Sequence, residues 1–135
     1  EDYVLQFEGV QKAGRLICEN EHITGRTDDI FGGRDYLEIR DRFAVASTIL
    51  DLSEIAPHTI SLVSRKSGAR TTVHFEGFRY CILWTWPGTQ PFVCIEPWSG
   101  MVDVLGHDKD FTKKLGMRCL QPGEHAEFLQ SITVG

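Results

Sequence analysis

The side chains best suited to chemistry lie in one stretch of the sequence, residues 84–103. Within it, Glu96 closes an apolar run and Trp98 follows two positions later. A carboxylate at the end of an apolar strand is costly unless it is paired or faces a cleft. Indole rings pack against the apolar faces of sugars, and carboxylates accept hydrogen bonds from sugar hydroxyls. The pattern suits a sugar site; the structural alternative is that Glu96 caps a turn or pairs with a buried arginine and the tryptophans are core.

Other charged side chains near this stretch are candidates to assist Glu96. Asp103 lies in an irregular segment, where it either contacts a ligand or holds the loop beneath Glu96. We favour the second role, because an acid near a base more often organises it. Arg79 is a candidate to orient or bind the sugar. The chain also has five histidines, and none is favoured for catalysis from its position alone: His22, His58, His74, His107 and His125.

Composition excludes several classes of protein. The 135 residues carry 14 basic and 19 acidic side chains, a net charge of −5, which argues against a nucleic-acid binder and against binding to an anionic membrane. The most apolar stretch, Tyr80 to Trp86, is far shorter than the ~20 residues that span a bilayer. The four cysteines form no CxxC pair, which favours reduced thiols over disulfides or zinc and predicts a cytoplasmic protein.

The elements that must position these side chains are strands, because apolar and polar residues alternate with period two along much of the chain. Residues 79–86 are apolar on both faces and predict a central strand covered on both sides. Pro97 is expected to end the strand that carries Glu96. The predicted strands are 2–8, 58–64, 70–76, 79–86, 92–96 and 126–134.

The remaining segments give weaker signals. Residues 19–33 are rich in Asn, Thr, Asp and Gly and predict a long loop, residues 87–91 predict a turn, and residues 109–115 predict a short helical segment closed by Gly116. Residues 41–50 suit a helix or a strand equally. We therefore predict an all-β fold, an antiparallel β-sandwich, formed by a single domain over residues 1–135.

The run from Pro91 to Gly100, followed by Asp103, closely resembles the aldose 1-epimerase (galactose mutarotase) family, and within it the LacX-like bacterial branch. The resemblance covers nearly the whole chain and is strongest from about Ser61 onward. It implies a galactose mutarotase-like supersandwich, of which this chain resembles the C-terminal half. Further matching segments are residues 73–80, 82–88, 114–117 and 120–124.

The resemblance implies an isomerase that interconverts the α and β anomers of an aldose such as a hexose. The family's general base corresponds to Glu96, which takes the proton of the anomeric hydroxyl while a histidine protonates the ring oxygen. Trp98, Asp103 and Arg79 are the candidate substrate-binding residues. No metal or organic cofactor is implied, since the reaction is proton transfer alone.

The chain departs from the family pattern in two respects. The family's catalytic histidine lies in a Gly-His-Pro segment upstream of the residue that matches Glu1, so the acid is expected in an N-terminal half that this sequence does not include. Many relatives also carry an aspartate close to the position of Ala46, so one sugar contact is in doubt. Two alternatives therefore stay open beside the isomerase: a non-catalytic carbohydrate-binding protein of the same fold, and a structural module. Exposed sheet edges are expected to favour a homodimer or other association.

Overall fold

The computed structural model of the chain describes residues 2–9, 11–39, 48–85 and 92–135. Two short 3₁₀ turns, Leu52–Glu54 and Phe111–Lys113, accompany the strands. The strands are β1 (Tyr3–Phe7), β2 (Gly14–Glu19), β3 (His22–Asp29), β4 (Tyr36–Glu38), β5 (Thr48–Asp51), β6 (Thr59–Ser64), β7 (Arg70–Glu76), β8 (Tyr80–Trp84), β9 (Cys94–Trp98) and β10 (Leu129–Val134). No helix in the described ranges has the length and apolar character needed to cross a bilayer.

The strands form two five-stranded sheets in which every pair of neighbours is antiparallel. The first sheet has the order β10-β7-β6-β1-β4, and the second has the order β3-β2-β5-β8-β9. Side chains from the inner faces of both sheets form one buried cluster, which includes Leu5 and Phe75 from the first sheet and Leu50 and Leu83 from the second. The predicted all-β antiparallel sandwich is therefore confirmed.

A second apolar cluster covers the opposite face of the second sheet. Tyr80 and Ile82 of β8 point into it, whereas Cys81 and Leu83 of the same strand point into the core between the sheets. The second cluster is closed by Met101, which is 4% exposed. Strand β8 is thus buried on both faces, as the sequence predicted, and the segment after β9 supplies the outer cover.

The predicted long loop at residues 19–33 is wrong, because β3 pairs with β2 in a hairpin there. Asn20 and Glu21 form the two-residue turn, with φ of 48° and 64°. Both central residues of such a turn need positive φ, a conformation that asparagine tolerates better than most residues. The polar composition that suggested a loop is compatible with a strand here because β3 is an edge strand with mostly exposed side chains.

The strand that carries Glu96 extends further than the sequence predicted. Pro97 lies inside β9 and is aligned with Cys81 of β8. Proline is tolerated there because β9 is the edge of its sheet, where one side of the strand needs no hydrogen-bond donor.

Other boundaries agree with the sequence or differ slightly from it. The strands predicted at residues 2–8, 58–64 and 70–76 correspond to β1, β6 and β7, and the short helical segment is the 3₁₀ turn at Phe111–Lys113. The last strand begins at Leu129 rather than at residue 126, and its side chains are exposed on both faces. The predicted turn at residues 87–91, Trp86, and residues 40–47 with Ala46 lie outside the described residues.

Gly116 closes the cover over the second cluster at a place that admits no side chain. Its φ is +75°, and a Cβ would lie 2.5 Å from the carbonyl oxygen of Ser99 and 2.7 Å from Cε2 of Tyr80. Gly106 has a similar φ of +81° but open space around it. The two glycines therefore separate the cost of the backbone conformation from the cost of steric overlap.

We expect Gly116→Ala to destabilise the protein by about 2 kcal/mol more than Gly106→Ala, because only the first substitution forces the cover away from Tyr80. Denaturant unfolding followed by tryptophan fluorescence measures the difference. Equal losses of stability in the two variants would show that residues 115–117 do not pack as described.

Candidate functional site

Glu96 lies near the C-terminal end of β9, aligned with Ile82 of β8. Along this strand Val93 and Ile95 pack against the core between the sheets. Because successive side chains of a strand point to opposite faces, Glu96 projects from the outer face with its neighbours two positions away, Cys94 and Trp98. The alternation places an acid on the outer face of an otherwise apolar strand.

The carboxylate of Glu96 has no charge partner among the described residues. Its side chain is half-buried, and the described part of the chain shows no Lys, Arg or His within ion-pair distance of it. The residue facing it across the strands, Ile82, is 5% exposed and belongs to the second cluster. The interpretation in which Glu96 neutralises a buried arginine therefore has no counterpart in the described structure.

The thiol of Cys94 is the polar neighbour of this carboxylate. Burial raises the pKa of the Cys94 thiol, and the charge of Glu96 and a hydrogen bond to its side chain act in the same direction. Burial also raises the pKa of Cys81, on the adjacent strand, to about 12. Both thiols are thus protonated at neutral pH. The sequence analysis passed over Cys94, although its position two residues before Glu96 on a strand was sufficient to place it on the same face.

Trp98 extends the site along the same face. It is 37% exposed and is aligned with Tyr80, which is 1% exposed and lies in the second cluster. Since residues two apart on a strand are separated by about 7 Å, the indole lies near the Glu96 carboxylate. The structure therefore brings together the acid and the flat apolar surface that the sequence predicted.

Arg79 lies beyond the Trp98 end of this face. Its guanidinium group is 5.5 Å from the centroid of the Tyr80 ring and 3.5 Å from Oδ2 of Asp51. The side chain is 58% exposed, so the contact with Asp51 is a weak surface ion pair. Arg79 therefore stays near Trp98 through Tyr80 and keeps donors available to solvent.

Asp103 is held in a different way. Its backbone oxygen accepts a hydrogen bond from the amide of Ile23 in β3, at 2.9 Å, and its carboxylate lies 3.2 Å from Nζ of Lys114. The hydrogen bond from Lys114 lowers the pKa of the Asp103 carboxyl, against partial desolvation, and His107 and His22 also lower it. Because Asp103 binds β3 while Trp98 belongs to β9, the segment between them crosses the face of the second sheet.

This arrangement favours the loop-holding role for Asp103. Lys114 was predicted to be solvated, but its side chain is only 25% exposed and it anchors the segment through Asp103. A direct sugar contact by Asp103 stays a prediction, since its carboxylate is engaged with Lys114.

The histidines are engaged elsewhere, and none in the described ranges is hydrogen-bonded or ion-paired to Glu96. His58 contacts the carbonyl of Leu52, and His74 contacts Glu76 and Thr59. His22 contacts the carbonyl of Asn20, and His107 accepts from the amide of Lys109. In the same ranges no group of three or more His, Cys, Asp or Glu side chains is arranged to hold a metal ion.

Comparison with known proteins identifies the fold. The chain superposes on a galactose mutarotase-like protein from Lactobacillus casei with a TM-score of 0.75 and 24% identity, over 98% of this chain and 46% of the other. It superposes on a galactose mutarotase related enzyme from Lactobacillus acidophilus with a TM-score of 0.79 and 22% identity, over 100% of this chain and 45% of the other. The two sheets with their outer cover thus define a galactose mutarotase-like fold.

Sequence comparison narrows this class. Both the plasmid and the chromosomal Protein LacX of Lactococcus lactis subsp. lactis are 31% identical over 110 residues, 78% of this chain and 36% of theirs. No protein-family model matches the chain. The chain belongs to the LacX-like branch of the aldose 1-epimerase (galactose mutarotase) family, which confirms the resemblance carried by the run from Pro91 to Gly100. It spans about a third of the length of the curated relatives that it matches.

The ion pair of Asp103 predicts a specific pH dependence. Its carboxyl has a lowered pKa in the folded protein, so its contribution to stability is complete above the unfolded-state pKa and is lost as the pH falls through the folded-state value. We expect Lys114→Met to move the NMR titration of the Asp103 carboxyl to higher pH.

Lys113→Met is the matched control, because Lys113 pairs with Asp108 and Asp110 instead. It should move the titration of Asp108 and leave Asp103 unchanged. If Lys114→Met leaves the Asp103 titration where it was, Lys114 does not anchor the segment.

Proposed function

We propose that the intact protein is an aldose 1-epimerase-like isomerase that interconverts the α and β anomers of an aldose, with Glu96 as general base. The observation that carries the proposal is the Glu96 carboxylate itself, half-buried beside the exposed indole of Trp98 and without a cationic partner among the described residues. A carboxylate paired with a cation would bind its proton too weakly to act as a base. Glu96 is ionised at neutral pH in the absence of such perturbation and is free to accept a proton.

In the proposed reaction, Glu96 takes the proton of the C1 hydroxyl of the sugar. The electron pair forms the carbonyl as the bond from C1 to the ring oxygen breaks, and an acid protonates the ring oxygen. Rotation about the bond between C1 and C2 exposes the other face of the aldehyde, and the same two groups return their protons as the ring closes. A positioned base contributes about 10²–10⁴-fold to such a reaction.

We propose that the acid is a histidine in an N-terminal half of the intact protein, and that the present chain is the C-terminal portion, a single domain over residues 1–135. The proposal is supported by the greater length of the relatives and by the contacts of His22, His58, His74 and His107, which engage groups other than Glu96. We place the protein in the cytoplasm, in keeping with four cysteines that are all unpaired.

The proposed substrate is a hexose bound across the outer face of β9. Trp98 would pack against the apolar face of the sugar ring, and the exposed guanidinium of Arg79 would donate to hydroxyl groups beyond it. Asp103 would act mainly through the loop that it holds.

We expect Glu96→Gln in the intact protein to lower the rate of anomer exchange at least 10²-fold and to leave sugar affinity nearly unchanged, because the amide keeps the shape but cannot accept the proton. Polarimetry or NMR of a pure anomer of glucose or galactose measures the rate. Glu54→Gln, at an exposed glutamate of the first 3₁₀ turn, is the control and should retain full activity.

The outcomes of that measurement separate the candidate functions. A rate that survives Glu96→Gln would exclude Glu96 as the base. An intact wild-type protein that binds sugar without accelerating anomer exchange would be a carbohydrate-binding protein of the same fold, which is the second candidate.

We also propose that the chain associates with a second copy through the free edge of β10. This strand has no charged residue, and Ile132 and Val134 are 62% and 79% exposed. Gly135 and Arg70 exchange both backbone hydrogen bonds, at 2.9 Å each, so alternate residues of β10 direct their amides away from β7. The amide of Ile132, three residues before Gly135, points to the free edge and is available to another strand.

We expect Ile132→Pro to convert a dimer to a monomer in sedimentation experiments, because it removes an outward donor and leaves the ladder with β7 intact. Ile132→Thr, which retains the amide, should stay dimeric. Strictly monomeric wild-type chain at all concentrations would contradict the proposed association.

A further inference from the structure

We propose that Cys94 is a positioning residue for Glu96: its thiol donates a hydrogen bond to the Glu96 carboxylate and holds it on the outer face of β9, ready to receive a proton. The inference deepens the proposed isomerase function and rests on it for its catalytic meaning. The contact between the two side chains stands independently of any activity.

The geometry of β9 brings the two groups together. Cys94 and Glu96 are two positions apart on one strand and therefore share its outer face, aligned with Trp84 and Ile82 of β8. The ring of Phe92 lies 5.6 Å from that of Trp84, between ring centroids. Apolar groups thus line the face around the thiol, and the Glu96 carboxylate is the polar group within its reach.

The protonation states fit a donor role for the thiol. Burial, the charge of Glu96 and the hydrogen bond all raise the pKa of Cys94, so the sulfur keeps its proton at neutral pH. A protonated thiol can donate, and an ionised carboxylate can only accept. The direction of the hydrogen bond is therefore from Cys94 to Glu96.

The other titratable groups near Glu96 do not replace this donor. On β8, the Tyr80 side chain belongs to the second cluster and the Cys81 side chain points into the core between the sheets. On β9, Trp98 does not titrate. Arg79, the nearest cation along this face, is paired with Asp51. A hydrogen bond to the charged form of an acid favours that form, so the thiol helps to keep Glu96 ionised in a largely apolar setting.

The first test measures the contact without any activity. The rate of Cys94 alkylation by iodoacetamide is followed against pH in the full chain, in a Cys119→Ala background that removes the exposed cysteine. Glu96→Gln removes the negative charge, so the alkylation profile of Cys94 should move to lower pH. Glu54→Gln should leave the profile unchanged, and an identical profile in Glu96→Gln and wild type would overturn the contact.

The second test measures the consequence for catalysis in the intact protein. Cys94→Ala should move the acidic limb of the kcat profile to higher pH and lower kcat several-fold with KM nearly unchanged, because the sugar contacts remain. Cys94→Ser keeps a donor and should restore the wild-type profile, while Cys119→Ala should have no effect. A purely packing role predicts instead that Ser and Ala fail alike and that the pH profile keeps its shape.

The two tests distinguish the possible failures. A shifted alkylation profile with no anomer exchange in the wild-type protein would retain the contact and reject the proposed function. Anomer exchange that depends on Glu96 but is indifferent to Cys94→Ala would retain the function and reject the positioning role. Circular dichroism of Cys94→Ala, compared with Cys94→Ser, shows whether either variant has lost its fold.

Discussion

The alternation of side chains along β9 is the constraint on which the site depends. Ile95 must enter the core between the sheets, and the pleat then forces Glu96 onto the opposite face, between Cys94 and Trp98. A slip of one residue in the pairing with β8 would bury the carboxylate among apolar side chains and expose Ile95. The cost of that exchange fixes the register, so the packing of the core also sets the position of the acid.

The outer cover gives this face its character. If only one face of the second sheet were protected, Tyr80 and Ile82 would be in water. Instead, the segment after β9 crosses the sheet, buries Met101, and is tied to β3 by Asp103 and Lys114. The sheet therefore has a dry side and a covered side, and Glu96 lies on the covered side, at its edge. A carboxylate at such a boundary is accessible to a ligand yet surrounded by little competing charge.

The sequence predicted the parts of this arrangement that local patterns determine. The alternation of β1, β6 and β7 and the apolar run of β8 were sufficient to identify those strands, and the motif around Glu96 pointed to the family. The β2–β3 hairpin was missed because its turn uses Asn20 and Glu21 rather than glycine, and because an edge strand can be polar. The ion pair of Asp103 with Lys114 and the route of the segment across the sheet depend on contacts between residues distant in sequence, which no local pattern reveals.

Two glycines hold the ends of the irregular stretch that precedes β10. A Cβ at Gly77 would lie 2.4 Å from the carbonyl oxygen of Glu127, and Gly116 is equally confined against Ser99 and Tyr80. Between these anchor points the side chains of residues 117–127 are mostly exposed. In a saturation survey of the gene, both glycines would rank among the least tolerant positions although neither presents a functional group to a sugar. Intolerance to substitution in this protein therefore marks backbone crossings as well as the place where a ligand binds.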